Sequence, residues 1–153
     1  GKSNSQMKEV TGSTPSTSAG KVSQSGSAST AAGNNAELVF SLENTGSASI
    51  SIKDIQVKSV KKGNGKADKN IDRVNRAGNE IRADGSGKLD QTMQIGTKYP
   101  LDSYADIGGA STVQFRLGNF EKDNGNIRDI GGKTIEITIY YNDGSSETFT
   151  FTP

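Results

Sequence analysis

The chain has 153 residues, of which only 30% are hydrophobic, and its formal net charge is +1. This length predicts a single domain, and the near-zero net charge excludes a global field that would attract nucleic acid or an anionic membrane. The sequence contains no Cys and no His, which excludes disulfides, thiol nucleophiles, imidazole or thiolate metal sites and the ordinary Ser-His-Asp triad. We therefore expect a protein that is not an enzyme, uses no cofactor and binds no nucleic acid.

Residues 1–35 predict a low-complexity arm or linker rich in Ser, Thr and Gly. Such a composition buries too little apolar surface to offset the entropy of ordering the chain, since only Met7, Val10 and Val22 are suited to burial. The Ser and Thr side chains of residues 11–30 are open to O-linked sugars. The folded domain is expected over residues 36–153.

Alternation of apolar and polar residues predicts a half-buried strand over Glu37–Glu43. The turn Asn44-Thr45-Gly46-Ser47 follows it, and a second strand is predicted over Ser49–Val60. In that second strand the apolar residues change parity between Ile52 and Ile55. A one-residue β-bulge at Lys53-Asp54, or a bend from one sheet to another, would keep both sets in the core. Either solution predicts a curved, two-layer β structure.

In the middle of the chain the sequence pattern predicts secondary structure less clearly. Residues 61–90 are polar and predict long loops with at most a helical turn or a short edge strand. Gln91–Gly96 is a weak strand candidate. Tyr99-Pro100-Leu101 predicts the start of a turn-rich connection that runs through Gly108-Gly109.

Three strands with clear alternation follow, over Thr112–Gly118, Thr134–Tyr141 and Ser146–Thr152. A two-residue turn between the last two would send their apolar residues to opposite faces. We therefore predict a three-residue turn with glycine in the left-handed conformation, which pairs Ile137 or Ile139 with Phe149. The predicted fold is all-β, an antiparallel immunoglobulin-like β-sandwich of about 6–8 strands, with the last strand as a natural edge.

Two polar clusters are candidate sites, and ordinary turns are the preferred interpretation of both. The loop 121–126 (EKDNGN), followed by Asp129, offers several oxygens of the kind that calcium binds. However, it lacks the ligand spacing of a known calcium loop, and Lys122 and Arg128 lie within it. The second cluster is a polar pocket made by Asp102 and Asp106 near Tyr99 and Tyr104.

A third candidate is a local basic loop around Gly63-Asn64-Gly65, which could contact phosphate or an acidic partner. Nearby aspartates favour the interpretation of a solvated loop, and the spacing of a phosphate-binding loop is absent. We assign no residue a catalytic, cofactor-binding or metal-binding role. The basic residues of this loop are Lys58, Lys61, Lys62, Lys66 and Lys69.

Two stretches, ELVFSLENTGSASISIKDIQVKSV and GGKTIEITIYYNDGSSETFTF, resemble the extracellular β-sandwich domain of archaeal type IV pilin-like proteins. This group includes pilins, archaellins and accessory or stator proteins of the archaellum, and the resemblance covers residues 36–152. The residues that carry it are Leu38, Phe40, Leu42, Asn44, Thr45, Gly46, Ser47, Ile50 and Ile52, and then Ile135, Ile137, Ile139, Tyr140, Asp143, Gly144 and Ser145.

The resemblance implies an extracellular or cell-surface module of a pilus-like or archaellum-like filament. Its partners would be further copies, other filament or envelope proteins, or the surface layer. The hydrophobic N-terminal helix of the family is missing here, and no apolar run is long enough to span a membrane. We expect either an anchoring helix removed upstream or assembly by donor-strand exchange through the arm. The alternative function is an immunoglobulin-like binding module for a cell-envelope component or the surface layer.

Overall fold

The computed structural model describes residues 17–75, 79–81, 87–89 and 91–153. Within these ranges the chain forms thirteen strands and no helix, and every strand pair is antiparallel. No helix in this part of the chain is therefore long and apolar enough to cross a bilayer. The strands are β1 (Val22–Gln24), β2 (Ser29–Ala31), β3 (Asn34–Asn44), β4 (Ile50–Lys61), β5 (Arg73–Asn75), β6 (Asn79–Glu80), β7 (Lys88–Leu89), β8 (Thr92–Gln94), β9 (Lys98–Ile107), β10 (Thr112–Leu117), β11 (Phe120–Glu121), β12 (Thr134–Tyr141) and β13 (Ser146–Phe151).

Two sheets form the layers of a sandwich. In the first sheet β3 lies between β10 and the short strands β1 and β2, and the second sheet has the order β13-β12-β4-β9. Their apolar faces meet, and the Phe40 ring of the first sheet stacks on Phe151 of the second with centroids 4.3 Å apart. Phe40 also stacks on Phe115 of β10 at 5.4 Å. The predicted all-β sandwich architecture is confirmed.

The structure confirms a bulge where the apolar parity of β4 changes. Tyr141 of β12 pairs with Ile52, whereas its neighbour Tyr140 pairs with Asp54, so Lys53 is an extra residue on β4. Ile52 and Ile55 consequently both face the core, each 1% exposed. A second bulge lies further along β4, between Val57 and Ser59, and it returns Val60 to the core.

The predicted hairpin register is also confirmed. Ile137 pairs with Phe149, and Ile135 pairs with Phe151. The three residues Asn142-Asp143-Gly144 form the turn, and Gly144 has φ of +89°. The apolar side chains of both strands therefore lie on one face of the sheet.

The prediction of a turn-rich connection after Tyr99 is wrong, because β9 is a ten-residue strand at the edge of the second sheet. Pro100 suggested a turn, but a residue without an N–H is tolerated on an edge strand or at a bulge. Here the pairing of β9 with β4 shifts between Pro100 and Ala105. Leu101, Ala105 and Ile107 are buried.

The segment 61–90, predicted as long loops with at most a helical turn or a short edge strand, contains the three short strands β5, β6 and β7 in its described part, and β5 is a central strand and not an edge. The three-stranded sheet β11-β5-β8 attaches to β4 through the Gly96 N–H, which donates to the Val57 carbonyl at 2.7 Å. The β6–β7 hairpin bridges the two main sheets. Arg116 N–H of β10 donates to the Ile81 carbonyl at 2.7 Å, and Lys88 N–H donates to Ser103 Oγ of β9 at 3.0 Å.

The described part of the predicted arm belongs to the first sheet, which extends N-terminally of residue 36. β1 and β2 pair with β3, and they bring Val22 and Ala28 into the core. Backbone pairing needs few apolar side chains, so composition gave little sign of these strands. Met7 and Val10 lie outside the described residues.

Candidate interaction surface

The second sheet has two edge strands, β9 and β13. The Lys88 N–H of β7 donates to Ser103 Oγ of β9, whereas no other described strand pairs with the outer side of β13. Tyr141 N–H donates to the Ser145 carbonyl at 2.8 Å, which fixes the hydrogen-bonded pairs of the hairpin. Hydrogen-bonded and non-hydrogen-bonded pairs alternate in an antiparallel ladder. The backbone N–H and C=O of Ser146, Thr148 and Thr150 therefore point away from β12. We call these groups, together with the Phe149 side chain, the β13 edge.

Phe149 gives this edge an apolar element. Its ring lies on the inner face, half-buried against the core, and stacks on Phe151 with centroids 6.3 Å apart. Because β13 ends the sheet, no strand covers the outer flank of the ring in the described chain. The side chains of Ser146, Thr148 and Thr150 point to the opposite, exposed face. The edge is thus polar on one face and aromatic on the other.

Glu147 is the charged residue on the inner face of β13. The buried Tyr141 hydroxyl donates to Glu147 Oε1 at 2.7 Å, so the carboxylate is held against the end of the core. Burial and this carboxylate raise the pKa of Tyr141 above its ordinary value, and Tyr141 stays a hydrogen-bond donor. Glu147 has the same parity as Phe149 and Phe151, which was the sequence signal for its inward position.

The hairpin turn at the start of β13 holds the beginning of the described chain. Ser145 Oγ and Ser145 N–H donate to Asp143 Oδ1 at 2.6 and 3.0 Å, and Ser18 N–H donates to Asp143 Oδ2 at 2.8 Å. These hydrogen bonds hold the pKa of Asp143 well below its usual range. Ala19 N–H donates to Ser145 Oγ at 3.1 Å. Residues 17–19 are thereby fixed beside one end of the β13 edge.

The outer face of the second sheet is polar, and its side chains bond to one another. Thr138 and Thr148 hydroxyls are 2.8 Å apart across β12 and β13. The Tyr140 hydroxyl donates to Gln56 Oε1 at 3.0 Å, and Lys98 Nζ lies 4.5 Å from the centroid of the Tyr140 ring. Such cross-strand pairs stabilise the sheet and hold its outer face in one arrangement.

Asn44, in the Asn-Thr-Gly-Ser turn, is fully buried and structural. Its Nδ2 donates to the Ala48 carbonyl at 2.8 Å and to the Ile107 carbonyl at 3.0 Å, and its Oδ1 accepts the Gly46 N–H at 2.9 Å. One amide thus closes the β3–β4 turn and ties it to β9. The sequence indicated the turn but not this role of Asn44.

The loop 121–126 uses its oxygens in structural hydrogen bonds. The buried Glu121 accepts from Arg73 Nε at 2.9 Å, and Asn124 Oδ1 accepts the Asn126 N–H at 2.9 Å. Asp129 Oδ1 accepts the Gly131 N–H at 2.8 Å. In the described ranges no three His, Cys, Asp or Glu side chains come together in an arrangement that could hold a metal ion.

The residues of the second polar cluster, on β9, do not converge. The Tyr99 hydroxyl accepts the Gln94 N–H at 2.9 Å near the start of the strand. Asp106 accepts from the Ser51 hydroxyl at 2.5 Å near its other end. Asp102 and Tyr104 lie between them on exposed positions.

The basic loop is anchored by an ion pair between the buried Asp68 and the partly exposed Lys133. Asp68 lies 2.8 Å from Lys133 Nζ, and its side chain is 4% exposed. Burial opposes the ionisation of Asp68, but Lys133 and the N–H of Asn70 outweigh it and lower its pKa. Lys62, Lys66 and Lys69 are exposed around this anchor, and Lys122 Nζ approaches the Lys69 carbonyl at 3.4 Å. The loop therefore presents several lysines at one end of the sandwich.

Comparison of the sequence with protein-family models and with curated proteins finds no match.

Proposed function

We propose that this chain is a non-catalytic structural or assembly module of an extracellular, pilus-like or archaellum-like surface filament. It acts through protein–protein contacts with further copies or with other filament and envelope proteins. The observation that carries the proposal is the β13 edge, whose outer backbone groups pair with no other described strand and whose inner face is aromatic. Strand addition at such an edge is a common mode of protein recognition.

The polar residues of the sandwich support the same function. Asn44, Glu121 and Asp68 are buried, and each is held by hydrogen bonds or an ion pair to neighbouring segments. Groups used in this way position strands and loops. The resemblance to pilin-like domains adds the filament context, although Asn44 and Gly144, two of its motif residues, serve the fold.

The proposal is tested by locating the protein on intact source cells with immunogold electron microscopy. We expect label along or at the base of surface filaments, together with digestion of the chain by protease added outside the cells. Label confined to the cell interior, with the chain protected from external protease, would contradict the proposal.

The basic end of the sandwich favours a second candidate function, a module that binds an anionic polymer of the cell envelope. Lys62, Lys66 and Lys69 are exposed and lie beside Lys122 and Lys133. This function predicts that the monomer sediments with a purified envelope fraction at low salt and is released at high salt. The variant Lys66→Glu/Lys69→Glu would lose this binding, whereas Lys88→Glu, on β7, is the matched control.

A further inference from the structure

We propose that two copies of this chain pair through their β13 edges. The two strands run antiparallel about a two-fold axis at Phe149 and join the second sheets of both copies into one continuous sheet. This inference rests on the proposed assembly function and specifies one of its contacts. It assigns the occupant of the β13 edge as the same edge of a second copy.

The backbone restricts the register of this pairing. Hydrogen-bonded pairs must join residues whose N–H and C=O both point outward, which on β13 are those at even-numbered positions. A register centred on Phe149 pairs Thr148 with Thr150 and Ser146 with Thr152 in both directions. A register shifted by two residues either way leaves Ser146 or Thr152 without a strand partner. The centred register therefore forms the longest ladder.

The side chains favour the same register. Phe149 lies opposite Phe149 of the second copy in a non-hydrogen-bonded pair, where side chains approach most closely. This contact covers the exposed flank of each ring, and facing aromatic residues stabilise cross-strand pairs. On the outer face, Thr148 lies beside Thr150 of the second copy. The edge is thus complementary to itself on both faces.

Charge also distinguishes the registers. Centred on Phe149, the pairing places Glu147 opposite Phe151 of the second copy, so the two Glu147 carboxylates lie apart. Centred on Thr148, it would place Glu147 opposite Phe149 and leave the two carboxylates only two residues apart along the paired strands, so like charges would lie closer together. Because the Tyr141 hydroxyl already binds Glu147, the centred register requires no new partner for this charge.

The features that usually protect an edge strand are few on β13. Natural edges are blunted by Lys, by Pro or by inward-pointing charges. The stretch Ser146–Phe151 has no Lys and no Pro, and its inward charge, Glu147, is bound to Tyr141. The N-terminal arm is a poorer occupant than a second β13 strand. In an extended strand Met7 and Val10 have opposite parity, so only one of them could contact Phe149.

The first test uses the absence of Cys from the natural chain. Full-length Phe149→Cys, oxidised under mild conditions, should form a disulfide-linked dimer, because facing Cα atoms of this pair type are about 4.5 Å apart. Thr148→Cys and Glu147→Cys are the controls, because each residue is offset from its counterpart across the axis. We expect their cross-linking to be at least about tenfold slower. Equal or faster cross-linking at either control position would overturn the proposed register.

The second test introduces a charged side chain at position 149, on the proposed two-fold axis. Phe149→Lys and Phe149→Glu should each be monomeric in sedimentation velocity at concentrations where the wild type dimerises, because like charges meet at the axis. An equimolar mixture of the two variants should restore the dimer. A wild-type chain that stays monomeric into the millimolar range, or variants that dimerise as well as the wild type, would overturn the proposal.

A third test uses the variant Met7→Ser/Val10→Ser in the full chain and distinguishes a second β13 strand from the N-terminal arm as the occupant of the edge. Loss of the dimer in this variant would assign the edge to the N-terminal arm and reject β13 pairing. Failure of all three tests leaves the immunogold result for the proposed function unaffected, because a filament protein can assemble through other surfaces.

Discussion

Asn44 shows how one polar residue can hold several segments of a sandwich whose composition is poor in apolar residues. Its amide bonds to the carbonyls of Ala48 and Ile107 and to the N–H of Gly46. A buried group that loses its partner costs about 1–3 kcal/mol, so truncation of this side chain affects three groups at once.

We predict that Asn44→Ala lowers the free energy of unfolding by about 2–4 kcal/mol, because the buried Ile107 carbonyl loses its Asn44 partner and two partly buried hydrogen bonds, to Ala48 and Gly46, are lost as well. Asn142→Ala, on an exposed turn residue, is the matched control and should change stability by less than about 0.5 kcal/mol. Urea denaturation measures both. Equal effects of the two substitutions would show that the Asn44 network does not stabilise the fold.

The raised pKa of Tyr141 predicts that the protein loses stability at alkaline pH. This pKa is raised in the folded state, whereas the unfolded chain ionises Tyr near its ordinary pKa of about 10. Above that pH the unfolded state binds fewer protons than the folded state, so stability falls as pH rises, by up to about 1.4 kcal/mol per pH unit.

We therefore predict that Tyr141→Phe loses less stability than the wild type between pH 10 and 11, even if it is less stable at pH 7. Urea unfolding midpoints across this range measure the slope. Tyr104→Phe, on an exposed side chain, is the matched control. A Tyr141→Phe slope as steep as that of the wild type would contradict the assignment.

At the scale of elements, the bulge at Lys53 allows Ile52 and Ile55, which have opposite parity in the sequence, to lie on the same buried face of β4. Deletion of Lys53 would leave Ile52 and Ile55 with the same parity on a regular strand. We predict that this deletion variant still folds, with a loss of about 1–3 kcal/mol from the altered contacts with β9. Circular dichroism and the dispersion of amide resonances report the outcome.

Deletion of Gln56 is the control, because it removes a residue from a regular part of the β4–β12 ladder. It would turn the buried Val57 outward and Lys58 towards the core, so we expect a larger loss of stability than for deletion of Lys53. Two deletions with equal effects would contradict the role assigned to the bulge.

The same elements show what the sequence could predict. β3, β10, β12 and β13 alternate over six or more residues, so parity alone identified their positions and the hairpin register. β1, β2 and β5 are three residues long, too short for a period to be counted. β9 was missed because Pro100 gave a turn signal that an edge position tolerates.

At the scale of the whole molecule, the two sides of the sandwich differ. The β6–β7 hairpin bridges β10 and β9 on one side. On the other side β13 and the short strands β1 and β2 are sheet edges, with no described strand pairing between them. This asymmetry makes the β13 side the candidate for assembly.

Only part of the candidate surface could be predicted. The sequence indicated that the last strand is a natural edge. The contact between Glu147 and Tyr141 lies within the predicted hairpin, but the half-buried state of Phe149 depends on which strands lie beside β13. Strand order is a long-range property that local periodicity does not contain.

The most direct test of the proposed assembly edge is residue-level amide hydrogen exchange on β13, measured by NMR at low and high protein concentration. At low concentration the outward N–H groups of Thr148 and Thr150 should exchange rapidly, whereas those of Phe149 and Phe151, bonded to β12, should be protected. At high concentration Thr148 and Thr150 should become protected as well. Protection of both at low concentration, or rapid exchange of both in the assembled protein, would contradict the account.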